Sequence, residues 1–333
     1  MGFSIALLNE IRNEASQDYQ SHIPEATQNT ISAVGNALAS YTTLFNEFSV
    51  ALMNKIGKTQ LEQALFKNKL AKYKTGTIVT QQDVEEIFIP MADKANAYDP
   101  DGQNPLGRRD VAQDSVVYHR QNRQDEYCIS LGDIDFVRCF RSEATLDAYL
   151  SAKLNSIYVR ADFDEWLVMK NLLATYDGYF DYQVPELTEA TAEKSAKSFV
   201  KTLRKAVMDL SFMSKSFNKA GVMTKSEAKN LVLFVHKDLI AEIDVEVLAK
   251  AFNMGKTDIQ VDIEVMDDFG TLTDTYALLV DRSWFKVYDT LSHMEPQRNA
   301  QGLFTNFFYH VHQIVSASPF KNTIRFTTAT VEA

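Results

Sequence analysis

Between Gly132 and Gly178 the chain holds no glycine and no proline. So long a stretch without a chain breaker must be filled by extended regular structure. From Ser142 onward Leu146, Tyr149, Leu150, Leu154, Ile157, Tyr158, Trp166, Leu167, Leu172 and Leu173 recur at helical spacing. The pattern predicts one helix from about Ser142 to Tyr176, roughly 52 Å long at 1.5 Å per residue. That is about three times the mean helix of a globular protein. Asp162, Asp164 and Glu165 mark the place where it would be interrupted.

Breakers are scarce overall, at 12 Gly and 7 Pro in 333 residues, so their position matters. Pro100, Gly102, Pro105 and Gly107 crowd into the interval 91–115, which is poor in large apolar side chains. Loops of that length inside a compact domain are uncommon and usually functional. Strand-like runs flank it, Ile78-Val79 and Ile87-Phe88-Ile89 before and Val116-Val117-Tyr118 after, with Ile134-Asp135-Phe136-Val137 further on. The reading is two strands leaving the body, a polar tip and a return.

Residues 1–75 show helical spacing only: Ile5, Leu8, Ile11, then Ile31, Val34, Leu38, then Leu61, Leu65, Leu70 and Tyr73. Thr59 and Glu62 make a capping box for the last helix, bracketed by Gly57 and Thr75-Gly76. Its polar side carries Lys55, Lys58, Lys67, Lys69, Lys72 and Lys74, a pattern for a solvated face or for docking on an acidic neighbour or phosphate. After Pro185, Ala196, Phe199, Leu203, Val207 and Leu210 mark a helix, and Leu231 to Val235 a short buried strand. Leu239 to Phe252 reads as helix with Asp238 as N-cap. Ile259, Val261, Ile263 and Val265 alternate with polar residues as a half-buried strand. Further strands are expected at Tyr276 to Val280, Phe285 to Tyr288, Phe304 to Val315 and Thr323 to Thr328. The fold class is α+β.

Hydrophobic and charged fractions of 45% and 23% are those of a globular chain. The formal charge of -10 argues against a dedicated nucleic-acid reader. Cys128 and Cys139 fit no metal motif and read as reduced thiols. Neither a signal sequence nor a membrane-length apolar run is visible.

Motifs of catalysis are missing: no phosphate-cradling glycine loop, dinucleotide fingerprint, nucleophile elbow or zinc-protease helix. His310 and His312 share one face of a probable strand, but nothing nearby completes a metal site. Asp99-Pro100-Asp101-Gly102 starts like a calcium loop, yet Asn104 and Asp110 stand where Gly and Glu are needed, so a proline turn is the better account. On a helix Asp162 and Glu165 share a face, which reads as a solvated acidic patch, with acid/base catalysis as the sharper alternative. The aromatic cluster Phe304, Phe307, Phe308 and Tyr309 reads as core or subunit interface.

The order of these elements resembles the major capsid proteins of tailed bacteriophages, the Hong Kong 97-like fold. The segments carrying the resemblance are Lys237-Asp238-Leu239-Ile240-Ala241 through Ala251-Phe252-Asn253, Leu279-Val280-Asp281-Arg282-Ser283-Trp284, and Ser318-Pro319-Phe320-Lys321-Asn322. The resemblance implies an N-terminal helical arm at 1–75, an extended E-loop hairpin with P-domain strands at 76–140, and a spine helix of the P domain at 141–184. A mainly A domain at 185–315 and a return strand of the P domain at 316–333 follow. The E-loop tip is Lys94 to Asp114, where Lys94, Asp99, Asp101, Arg108 and Arg109 are the candidate inter-subunit contacts. Lys94 and Asn322 are the partners, by region, for the lysine–asparagine crosslink of some members. The implied function is structural: hexamers and pentamers of an icosahedral shell enclosing double-stranded DNA without sequence-specific binding. Separate scaffolding and portal proteins, a retained N-terminal arm, assembly in the host cytoplasm and location in the virion go with it. No catalytic, cofactor or metal residues, and no membrane, are implied. Alternatives are an encapsulin-like cellular nanocompartment shell and a hydrolase using a carboxylate pair such as Asp162 and Glu165.

Overall fold

The computed structural model describes residues 3–58, 66–79, 82–91, 100, 114–132, 138, 140, 155–185, 192–242 and 261–328. Four helices lead: α1 (Phe3–Glu14), α2 (Gln17–His22), α3 (Ile31–Ser40) and α4 (Thr42–Lys58). The Thr59–Glu62 box lies outside the described residues. In the described part of the expected helix, residues 66–68 are irregular and Lys69–Tyr73 is a short 3-10 turn, started by Asn68, whose side chain accepts from the Leu70 N–H. Next come β1 (Gly76–Thr77), β2 (Val84–Phe88), β3 (Ser115–His119), β4 (Arg123–Gly132), α5 (Asn155–Thr175) and β5 (Phe180–Gln183). The remainder is α6 (Ala192–Ser211), β6 (Leu231–His236), α7 (Lys237–Glu242), β7 (Asp262–Met266), β8 (Thr275–Asp281), β9 (Phe285–Asn299), β10 (Phe304–Ala317) and β11 (Thr323–Thr327).

Three sheets result, in the orders β1-β9-β10-β4, β5-β11-β8-β6-β7 and β2-β3. Helices α1 to α4 cover one face of the first sheet, where Ile5, Leu8, Ile11, Leu38, Phe48 and Leu52 form one core with Leu131, Met294 and Phe307. The five-stranded sheet is covered on both faces. On one side Phe199, Leu203 and Leu210 of α6 meet Leu231, Leu233 and Val235. On the other Met169 and Leu173 of α5 meet Val232 and Phe234. Buried on both faces, β6 is a continuous apolar run, as such strands must be.

Helix α5 holds the C-terminal part of the breaker-free stretch, and residues 141–154 lie outside the described set. Ile157, Ala161, Met169 and Leu173 recur every fourth residue on its buried side. Glu165 stands in the middle of that stripe, only 8% exposed. The expected solvated patch is therefore split: Asp162 is exposed and Glu165 is core.

Two expectations are corrected, one for a strand and one for a helix cap. The strand expected at Phe285 to Tyr288 continues to Asn299, because β10 pairs with it along its whole length, with one register shift. Pro296 falls beyond the reach of β1, where β10 alone pairs with β9, so its missing N–H is tolerated at a sheet edge. Helix α7 begins at Lys237, which places Asp238 in its first turn rather than at the cap. Residues 134–137 and 243–260, also assigned to elements above, lie outside the described residues.

Candidate subunit interface

Among the described residues, strands β2 and β3 pair only with each other, in antiparallel register from Val84↔His119 to Phe88↔Ser115. An isolated two-stranded ribbon is marginally stable in water, so something must anchor it. The alternation of the strands sends Glu86, Phe88 and His119 toward the body. There Phe88 stacks on Phe320 at 5.6 Å and 26°. Glu86 Oε2 lies 3.1 Å from His119 Nε2, and its Oε1 accepts from Ser318 Oγ at 2.9 Å and pairs with Lys286 Nζ at 3.0 Å. His119, 3% exposed, also meets Ser316 Oγ at 2.7 Å. Two hydrogen bonds, both 2.8 Å, fix the exit of the ribbon: the Asn122 side-chain amide donates to the Val315 carbonyl and its oxygen accepts from the Val315 N–H.

Burial alone would raise the Glu86 carboxyl, but hydrogen bonds from His119, Lys286 and Ser318 outweigh it and hold the value down at about 2. A carboxyl depressed in the folded state stabilises that state above its ordinary value of 4.5. That contribution fades as pH falls through the folded value. Acidification from about 4.5 to about 2 is thus expected to loosen the ribbon root selectively. Pulsed hydrogen exchange of the β2 and β3 amides should accelerate before that of β6 or β8, and simultaneous loss of protection would refute the local lock.

The opposite face of the ribbon is uncovered. Ile87 is 53% exposed, Ile89 74%, Met91 60%, Val116 42% and Tyr118 56%. Directly paired Ile87 and Val116 make the centre of this stripe, and Tyr118 is steadied by donating to Glu85 Oε1 at 3.0 Å. A contiguous apolar face on a two-stranded ribbon is a surface for another chain. The candidates Lys94, Asp99, Asp101, Arg108 and Arg109 belong to the stretch joining β2 to β3 and lie outside the described residues.

A second constellation holds the body behind the ribbon. Glu165 accepts from Asn68 Nδ2 at 2.8 Å, Lys74 Nζ at 2.8 Å and Gln313 Nε2 at 2.6 Å. Lys74 also pairs with Asp289 at 2.7 Å, and Gln313 accepts from Arg123 Nη1 at 2.6 Å. Burial pulls the Lys74 ammonium down, yet Glu165 and Asp289 more than offset this and keep it charged. The register shift in β10 between His312 and Gln313 changes the strand's alignment where Gln313 enters the cluster. Together these residues tie the segment after α4 to α5, β9, β10 and β4. Lysines read as a solvated face are therefore partly engaged: Lys74 here, and Lys72 with Glu264. Both oxygens of Glu165 are thus occupied by structural partners, whereas Asp162, one turn earlier, is exposed.

Other sites are equally occupied. A cleft of about 320 Å³ is bordered by Lys72, Lys74, Arg282 and Lys286. Those cations are held by Glu264, Glu165, Asp262 and Glu86, which leaves no net charge for an anion. Among the described residues no group of three or more His, Cys, Asp or Glu is placed to hold a metal. His310 sits beside Glu126 at 3.8 Å, and Cys128 is an exposed thiol on β4. Asn322 is 1% exposed; its carboxamide accepts from Thr224 at 2.9 Å and donates to Ser226 at 3.3 Å, a poor setting for a crosslink. No described helix is long and apolar enough to cross a membrane.

Comparison with known proteins points one way. The family model described as Phi29-like phage major capsid protein matches residues 8–327. The major capsid protein of Bacillus phage PZA is 34% identical over 99% of this chain and 74% of its own length. That of Bacillus phage B103 is 32% identical over 98% and 73%. In three dimensions the chain resembles one from the capsid structure of Staphylococcus phage Andhra, with TM-score 0.64 and 13% identity over 82% of this chain and 88% of the other.

Proposed function

The chain belongs to the family of Phi29-like phage major capsid proteins, and from that premise we propose how its parts build a shell. It is a structural protein of the virion, the major component of the icosahedral head of a bacteriophage. Its mixed helix and sheet fold matches phage capsid folds, and we assign it to the Hong Kong 97-like type. In that assignment β2, β3 and their connecting stretch are the E-loop, α5 is the spine helix, the four-stranded sheet with its helices belongs to the P domain and arm, and the five-stranded sheet is the A domain.

The observation that carries this reading is the ribbon itself: rooted by a half-buried ion-pair cluster and bare along an apolar stripe. In a closed shell the next subunit supplies its cover. Lys94, Asp99, Asp101, Arg108 and Arg109 then make polar contacts around that stripe, with Arg108 and Arg109 facing carboxylates of the neighbour. Subunits gather as hexamers and pentamers in the host cytoplasm, with separate scaffolding and portal proteins, around double-stranded DNA held without sequence-specific binding.

Negative-stain microscopy and sizing of the purified protein test the reading, alone and after isolation from the native host. Uniform shells or capsomers, with nuclease-protected DNA inside the native particles, are expected. A stable small monomer under all conditions would overturn it, and native shells filled with protein instead of DNA would identify a cellular compartment.

A further inference from the structure

Charge is unevenly distributed along this acidic chain. Residues 192–229 hold nine basic and three acidic residues, whereas the remainder holds 25 basic and 41 acidic. Helix α6 opens this basic segment. Its inner face, Phe199, Leu203, Ala206, Val207 and Leu210, is fully buried against the five-stranded sheet. Its outer face carries Lys201, Lys205 and Met208 at helical spacing, continued by Phe212 just past the helix end. Met208 is 55% exposed, Phe212 70% and Met213 46%.

One exposed apolar side chain needs no explanation, but three neighbours at the end of one helix do. Exposed Lys201, Lys205, Lys215 and Lys225 surround them in the same segment. An apolar centre containing Met and Phe with a charged rim is the anatomy of a protein–protein contact. Nucleic-acid backbones are gripped by cations and hydroxyls, and a Met-Phe-Met centre would gain nothing from phosphate.

We propose that the outer face of α6 with Phe212 and Met213 is a second subunit-contact surface, separate from the ribbon, that docks on an acidic surface of a neighbouring copy. The proposal rests on the shell function above, which surrounds each chain with copies of itself. Lysines facing lysines would repel, so the patch cannot be its own complement. The contact is therefore head-to-tail, the type that closes into rings when the rotation permits.

Methionine oxidation footprinting of assembled shells and of dissociated subunits tests it, with fully buried Met169 as the internal reference. Met208 and Met213 are expected to oxidise several-fold more slowly in shells. The double variant Met208→Lys/Phe212→Lys, which removes apolar surface and adds like charge, is expected to give a folded subunit, by circular dichroism, that no longer forms shells. Equal oxidation rates in both states, or normal shells from the variant, overturn the proposal. Normal shells that retain DNA more firmly at raised salt would instead assign the patch to nucleic acid. Absence of shells from the unaltered protein would sink the function reading itself, an outcome distinct from failure of the variant alone.

Discussion

Replacing Ile87 and Ile89 by aspartate is expected to leave a folded subunit and abolish closed shells. Both side chains are more than half exposed, and neither belongs to a core cluster. Their replacement therefore costs the isolated chain little. In the assembly each isoleucine would be covered, and full burial of such a side chain is worth about 1.5–3 kcal/mol. Only the exposed half of Ile87 and three-quarters of Ile89 remain to be covered, so the lost burial amounts to roughly 2–4 kcal/mol per contact, about thirtyfold to a thousandfold in affinity, before the desolvation of two new carboxylates is added. Every subunit of a shell carries the same defect. Sedimentation should show subunits or small oligomers with an unchanged far-ultraviolet spectrum. Shells of normal size and yield would remove the ribbon face from the interface. Deletion of Ala95 to Asp110 addresses the connecting stretch in the same way, with the same two outcomes.

The second large effect concerns folding rather than assembly. Glu165→Leu leaves Lys74, Asn68 and Gln313 facing an apolar side chain at a site where Glu165 is only 8% exposed. Removing one partner of a buried pair typically costs about 3–5 kcal/mol. Here Asp289 still pairs with Lys74, which places the expected loss toward the lower end, about 3 kcal/mol. The double variant Glu165→Leu/Lys74→Met should lose more, because it also strips the Asp289 carboxylate of its cation. Denaturant titration of both variants measures this. A single variant within about 0.5 kcal/mol of the parent, an ordinary surface effect, would show that the cluster is dispensable.

Elements with a strong period were legible in the chain alone: the apolar stripe of α5, the continuous run of β6, and the breaker cluster between β2 and β3; β7 was legible as a strand, but Met266 is buried and Val265 is 47% exposed, the reverse of the expected alternation at that end. Missed features share a physical cause. In β4, the outward Gln124, Glu126, Cys128 and Ser130 and the half-buried Asp125 and Tyr127 blur the apolar signal, since pairing with β10 makes that strand. The second half of β9 likewise exists through its ladder with β10. Glu165 looked like one of several helix acids because its partners come from positions 68, 74 and 313, and no local pattern reports contacts so distant. The ribbon was legible as two strands flanking a polar interval. Its apolar stripe was visible only once the register showed which residues face the body.

Strands β10 and β11 occupy interior positions, β10 between β9 and β4 and β11 between β5 and β8. Both sheets thus stay open until Phe304 to Thr327 has left the ribosome, although β4 and β5 were made long before. The β1 pairing with β9, Gly76 to Tyr288, has the same non-local character. Seen as a matter of timing, this topology is a completion check. A nascent or truncated chain lacks the strand on which Gln313 sits and the segment that supplies Ser316, Ser318 and Phe320 to the ribbon root. Unfinished chains therefore lack the partners that root the ribbon.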